Sequence, residues 1–174
     1  VIFKKFTSDG GNSIGIYNLS DGTLNNIEWE IDASKNVGSN LYLHDFVELN
    51  SSKSVLVYSY TEYFEGFDGG IGKRTGSDLF AVLIDNKTGA VLSDQVTISD
   101  YEANDYFSNI EVNTDGGFSI LYEGEDLIYN SSNNTTSEVS TSVYAQYDQN
   151  LNLIKETVFD EVTLSPTHYI TRGG

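Results

Sequence analysis

Cysteine and methionine are absent from this 174-residue chain, and proline occurs once, at Pro166. Without thiols there are no disulfides, no thiolate zinc sites and no cysteine nucleophile. With a single proline, the turns must be built by Gly and by Asn or Asp, and 16 Gly are present to do so. Basic residues are scarce too: 9 Lys plus Arg stand against 26 Asp plus Glu, a net charge of -17. Such a field repels a phosphate backbone, so no nucleic-acid partner is expected. No run approaches the roughly 18 apolar residues of a membrane-spanning helix, and no basic-plus-apolar leader is seen, so no membrane insertion is expected.

What is abundant is strand-forming material. Twelve Tyr and nine Phe accompany many Val, Ile and Thr, residues that fit a pleated, half-buried surface. The 39% hydrophobic fraction is far above that of a disordered acidic tail. Apolar segments are short, alternate with period two and end in turn residues, as in Ser54 to Thr61, Leu79 to Ile84, Phe118 to Glu123 and Ser142 to Tyr147. That pattern predicts about twelve strands and essentially no helix.

The strands recur in a threefold repeat. Thr114-Asp115-Gly116-Gly117 leads into Phe118-Ser119-Ile120-Leu121-Tyr122, and Thr171-Arg172-Gly173-Gly174 would lead into Val1-Ile2-Phe3 if the chain continued from its own start. Asn50 to Ser54, followed by Val55-Leu56-Val57-Tyr58, supplies a copy without glycines. A second landmark returns in order at Ile16 to Gly22, Leu83 to Gly89 and Gln146 to Asn152. The repeats run roughly over 1–54, 55–117 and 118–174, each expected to be a four-stranded antiparallel meander. Tight turns then join its first strand to its second and its third to its fourth. Long connections, Asp32 to Tyr42, Glu62 to Ser77, Ser99 to Tyr106 and Glu123 to Thr141, all emerge at the other end.

Asp115-Gly116-Gly117-Phe118 and Val143-Tyr144-Ala145-Gln146-Tyr147-Asp148 resemble the blade repeats of bacterial secreted β-propellers, found in adhesin-like surface proteins and often beside calcium-binding repeats. The resemblance implies an all-β, propeller-like fold and an exported, extracellular or cell-surface setting, with the periplasm as the alternative. Propellers close with about four to eight blades. Three repeats and a starting Val therefore lead to the expectation of an excerpt from a larger ring, completed by further blades in cis, or else by homo-oligomerisation. A β-sandwich is the alternative packing for the same strands.

Chemistry-bearing residues concentrate on the long connections. Asp100, Glu102 and Asp105 place three carboxylates on one loop, oxygen donors of the kind calcium takes, although the loop lacks a helix-loop-helix calcium signature and equally suits a solvated acidic turn. Tyr63, Phe64, Phe67 and Asp68, with Tyr101 from the next junction, set rings beside carboxylates as a glycan- or protein-binding face would. Folding of those rings onto the blade is the alternative. His44 and His168 do not fall at matching repeat positions, and no Gly-x-Ser-x-Gly elbow occurs, so serine hydrolase chemistry has no support. The expected function is noncatalytic: a structural, adhesive or ligand-displaying segment with no cofactor other than calcium. The alternative is a fragment of a propeller-type polysaccharide hydrolase or lyase, working through paired carboxylates.

Overall fold

The computed structural model describes residues 1–6, 12–19, 21–27, 41–63, 74–101, 104–130 and 135–159. All regular structure among them is strand: β1 (Ile2–Phe6), β2 (Asn12–Tyr17), β3 (Leu24–Ile27), β4 (Leu41–Asn50), β5 (Lys53–Tyr63), β6 (Arg74–Asp85), β7 (Val96–Ser99), β8 (Asp105–Val112), β9 (Phe118–Asn130), β10 (Thr135–Tyr147) and β11 (Leu153–Val158). They form three antiparallel sheets in the orders β1-β2-β3, β4-β5-β6-β7 and β8-β9-β10-β11. The chain is therefore all-β, and each sheet is a sequential meander.

Equivalent turns show how the sheets correspond. The N–H groups of Asn18, Asp85 and Asp148 bond to the carbonyls of Thr23, Ala90 and Asn152 at 2.9, 2.8 and 2.9 Å. Each turn then needs one residue in the left-handed region, occupied by Gly22 at φ 74°, Gly89 at φ 72° and Leu151 at φ 66°. The third turn is one residue shorter and accepts the strain of a leucine there, because the Leu151 side chain is buried in the core. Asp85 and Asp148 brace their turns through their carboxylates, Asp85 from the N–H groups of Lys87 and Thr88 at 3.0 and 2.7 Å and Asp148 from those of Asn150 and Asn152 at 2.7 and 2.9 Å.

Counting back from these turns, Ile14 and Ile16 correspond to Ala81 and Leu83, while Ile84, Val82 and Phe80 correspond to Tyr147, Ala145 and Val143. Ile14 and Ile16 pack with Leu56, Tyr58, Phe80, Val82 and Ile84 in one apolar cluster. Val55, Val57, Leu79, Ala81 and Leu83 pack with Phe118, Ile120, Tyr122, Val143, Ala145 and Tyr147 in the other. The middle sheet is thus buried on both faces, which is why Val55 to Tyr58 and Leu79 to Ile84 read as continuous apolar runs. Each sheet turns one kind of face forward and another backward, and the stacking is head to tail.

The outer faces differ. Where the middle sheet presents Val55, Ala81 and Leu83, the last sheet has Ser119, Tyr144 and Gln146. Their polar groups close on each other, Gln146 Nε2 donating to Tyr144 Oη at 3.1 Å, Tyr144 Oη to Ser119 Oγ at 2.9 Å and Ser119 Oγ to Asn113 Oδ1 at 2.8 Å. The first sheet instead leaves Phe3, Tyr17 and Leu24 exposed. The Phe3 ring lies over Gly15, where a Cβ would overlap it.

Two sequence expectations need correction. Glu123 to Thr141, expected as a long loop, is mostly paired: β9 and β10 continue past the sheet to the pair Asn130 and Thr135. β5 and β6 likewise extend to the pair Tyr63 and Arg74. Polar residues do not prevent a two-stranded ribbon when cross-strand backbone pairing sustains it. In the other direction, Ala90 to Ile98 is strand only over Val96–Ser99, plus a single bridge from Val91 to Ile84.

Candidate functional site

The turn end of the molecule is tied shut. Asn18 donates its side-chain N–H to the Lys87 carbonyl, and Asn25 Nδ2 donates to the Thr88 carbonyl at 2.8 Å, joining the first sheet to the second. Lys53 Nζ donates to the Gln149 carbonyl at 2.9 Å and to Asn150 Oδ1 at 3.2 Å, joining the second to the third. The opposite end carries the connection from β7 to β8, with Asp100, Tyr101 and Asp105.

At that end the organised feature is Asp105, which opens β8 and is 3% exposed. Ser99 Oγ, at the end of β7, donates to Asp105 Oδ2 at 2.6 Å and accepts the Leu79 N–H at 3.3 Å. The Tyr101 N–H donates to the same carboxylate oxygen at 3.4 Å. The Glu125 N–H donates to the Asn104 carbonyl at 3.1 Å, and Ser77 Oγ to the Asp105 carbonyl at 3.4 Å. Strands from the second and third sheets meet here, so Asp105 is the centre of a latch between them.

Burial pushes the Asp105 carboxyl up to about 6 from 3.8; the bonds from Ser99 and the Tyr101 amide oppose the rise, and Asp100 and Asp126 add to it. Its Oδ1, like Asn104 Oδ1, is buried and has no partner. Desolvation also raises the Tyr101, Tyr122 and Tyr147 hydroxyls, Tyr147 to about 12, with the Glu156 carboxylate of β11 contributing to all three. Chemically, Asp105 can hold or release a proton in mildly acidic solution, and its free oxygen can accept one further hydrogen bond.

Of the residues expected at a metal, the structure turns Asp105 inward and leaves Asp100 exposed, while Glu102 lies outside the described residues. Among the described residues no group of three His, Cys, Asp or Glu side chains is placed to hold an ion. The two unpartnered oxygens of Asn104 and Asp105 suit a hydrogen-bond donor better than such a set. Tyr101 is half-buried against the core formed by the second and third sheets, its ring covering Gly124 so closely that a Cβ there would overlap it. Tyr63 ends β5 and pairs with Arg74; Phe64, Phe67 and Asp68 lie outside the described residues.

Sequence reasoning placed Asp105 on an open acidic loop and missed its partner Ser99. The signal available was the pair Ser99 and Asp105 flanking a short connection between two strands, which is the arrangement of a side-chain bridge across a loop. His44, at a bulge in β4, hydrogen-bonds Ser59 Oγ through Nε2 at 2.8 Å and stacks on Phe107 with ring centroids 5.3 Å apart. It serves the packing of β4 against β8.

Comparison with family models, with curated proteins and with solved structures found no match to this chain. Fold and site define an all-β protein of three stacked antiparallel meanders.

Proposed function

We propose that the chain is a noncatalytic β-propeller-type segment of an exported bacterial surface protein, displaying a glycan- or protein-binding face at the end that carries the connections between sheets. The observation that carries this reading is the head-to-tail stacking. Two sheets of a sandwich meet through their inner faces and are then complete. Here the middle sheet uses two different faces, and heterologous packing of that kind propagates, forming a ring when the rotation closes. β8 lies against both β4 and β6, so the first strands of the two four-stranded sheets lie side by side, as blades do around an axis.

A rigid turn end opposite an elaborated end is the arrangement of a scaffold that holds binding loops. Polysaccharide cleavage would need a carboxyl of raised pKa facing a cleft; Asp105 has the raised pKa, but it is buried within the latch between sheets. The test is a glycan and peptide array probed with the labelled chain, followed by Phe64→Ala/Phe67→Ala. Binding to a restricted set of ligands is expected, weakened about tenfold or more in the variant with the thermal midpoint nearly unchanged. Equal affinity, or a large loss of stability, would reject the binding face.

A further inference from the structure

Among the described residues Asp105 is the only buried carboxylate. Its Oδ2 is taken by the Ser99 hydroxyl and the Tyr101 N–H, while Oδ1 is buried and has no partner. Asn104 Oδ1, on the residue before it, is a second buried oxygen without a donor. An ionised carboxylate offers acceptors only, whereas a protonated one offers an O–H. The proton therefore belongs on Oδ1, where it supplies the kind of group this place lacks. Asp105 is not spent on an ion, since no group of three His, Cys, Asp or Glu side chains among the described residues is placed around one.

Among the described residues packed around Asp105, no Lys or Arg offsets its charge. Asp100 of the connection and Asp126 of β9 act on it as like charges. The Tyr101 and Tyr122 hydroxyls, raised first by burial, are raised further by Glu156 of β11 and by Asp105 itself. β6 brings the neutral Ser77 Oγ and Leu79 N–H, and its Asp78 alternates to the other face. Glu125 of β9 likewise alternates away from Gly124 and accepts the Tyr106 hydroxyl at 3.4 Å. β4 brings His44, stacked on Phe107 two residues along β8. An ionised Asp105 is thus buried beside carboxylates with half of its acceptors unused, and moving toward water is its only relief.

We propose that the junction of β7 and β8 is a proton-operated latch: protonated Asp105 stays shut on Ser99 and holds the Tyr101 ring over Gly124, and loss of the proton to solvent frees Asp105 and lifts Tyr101 from its seat. The seat is specific, because a Cβ at residue 124 would overlap the Tyr101 ring. Opening returns the carboxyl from about 6 to its ordinary 3.8. Between pH 4 and pH 6 the open form then gains on the closed one by roughly tenfold per pH unit, levelling above 6 after roughly a hundredfold in all. The latch is shut in acid and loosened at neutral pH. It stands on the packing of Asp105 and does not depend on ligand display at this end.

Native-state hydrogen exchange at the Glu125 amide tests the proposal, because that N–H bonds to the Asn104 carbonyl across the latch. Its protection factor, corrected for the intrinsic rate at each pH, is expected to fall roughly a hundredfold from pH 4 to pH 7. Low urea should not accelerate this exchange, as befits a local opening. In Asp105→Asn the protection should be the same at both values, whereas His44→Gln should retain the fall. Gly124→Ala, which unseats Tyr101 at any pH, should leave Glu125 poorly protected even at pH 4, and it keeps the test decisive if the Asp105 variant does not fold. Protection in wild type that does not change with pH, or a fall that survives Asp105→Asn or vanishes in His44→Gln, would overturn Asp105 as the proton's site. Exchange of Glu125 with the urea dependence of β5 and β6 would overturn the latch itself, and full protection in Gly124→Ala at pH 4 would overturn the part given to Tyr101.

Discussion

At the residue scale, Asp105 shows how one side chain couples packing to proton binding. Its carboxyl is raised to about 6, so between roughly pH 4 and pH 6 the native state keeps a proton that the unfolded chain, near 3.8, has released. Stability attached to Asp105 is therefore full below pH 4 and declines as pH rises through 6. The turn carboxylates Asp21, Asp85 and Asp148 are lowered by their hydrogen bonds to Thr23, Thr88 and Asn152, and act in the opposite sense, losing stability only as pH falls below the ordinary Asp range. The comparison that isolates Asp105 is Asp105→Asn against wild type. Chemical denaturation at pH 4 and pH 7 is expected to show the variant gaining on wild type by roughly 2–3 kcal/mol, at about 1.36 kcal/mol per unit of pKa. A difference independent of pH would remove Asp105 as the titrating group. In the sequence only the spacing from Ser99 sets Asp105 apart from Asp100; the burial itself comes from the fold, in which Ser99 of β7 closes on Asp105 at the start of β8.

At the scale of elements, the turns were the most legible part of the chain and the strand lengths the least. Asp85 to Gly89, Asn18 to Gly22 and Thr114 to Gly117 are turns as read, because Asx chemistry and glycine act locally. The ribbon extensions of β5, β6, β9 and β10 were not legible, since their residues lack the alternation that marks a half-buried strand and are held by partners many residues away. Of the candidate site, Asp105 and Tyr101 were named from sequence, but their roles as latch and cover depend on Ser99 and Gly124 across the fold. Gly117 offers a test of the turn argument. A Cβ there would overlap the Tyr147 carbonyl oxygen, a backbone atom fixed by the β9–β10 ladder, in which Tyr147 pairs with Phe118. Gly117→Ala is expected to destabilise by about 1–3 kcal/mol in urea melts, as overpacking against a fixed neighbour does. Gly116→Ala, where nothing lies within 4 Å but φ is +85°, isolates backbone strain and should cost about 1–2 kcal/mol. A neutral Gly117→Ala would show that the turn relaxes.

At the scale of the molecule, stability should be graded along the stack. The middle sheet has four strands and loses both faces to neighbours, with Val55, Leu56, Val57, Tyr58 and Leu79 to Ile84 all buried. The last sheet buries one face and satisfies the other through Ser119, Tyr144 and Gln146. Among the described residues the first sheet has three strands and one buried face, and its Phe3, Tyr17 and Leu24 are exposed. Opening it alone gives up the contacts of Ile14 and Ile16 with the middle sheet and two hydrogen bonds between turns, while the larger cluster between the second and third sheets stays intact. Regions that can open in this way exchange their amides by sub-global unfolding, at lower free energy than the whole. Native-state hydrogen exchange is therefore expected to protect β5 and β6 most and β2 markedly less, with the third sheet between them. Exchange of β2 at the same rate as β5 and β6 under increasing denaturant would mean that the three sheets unfold as one unit.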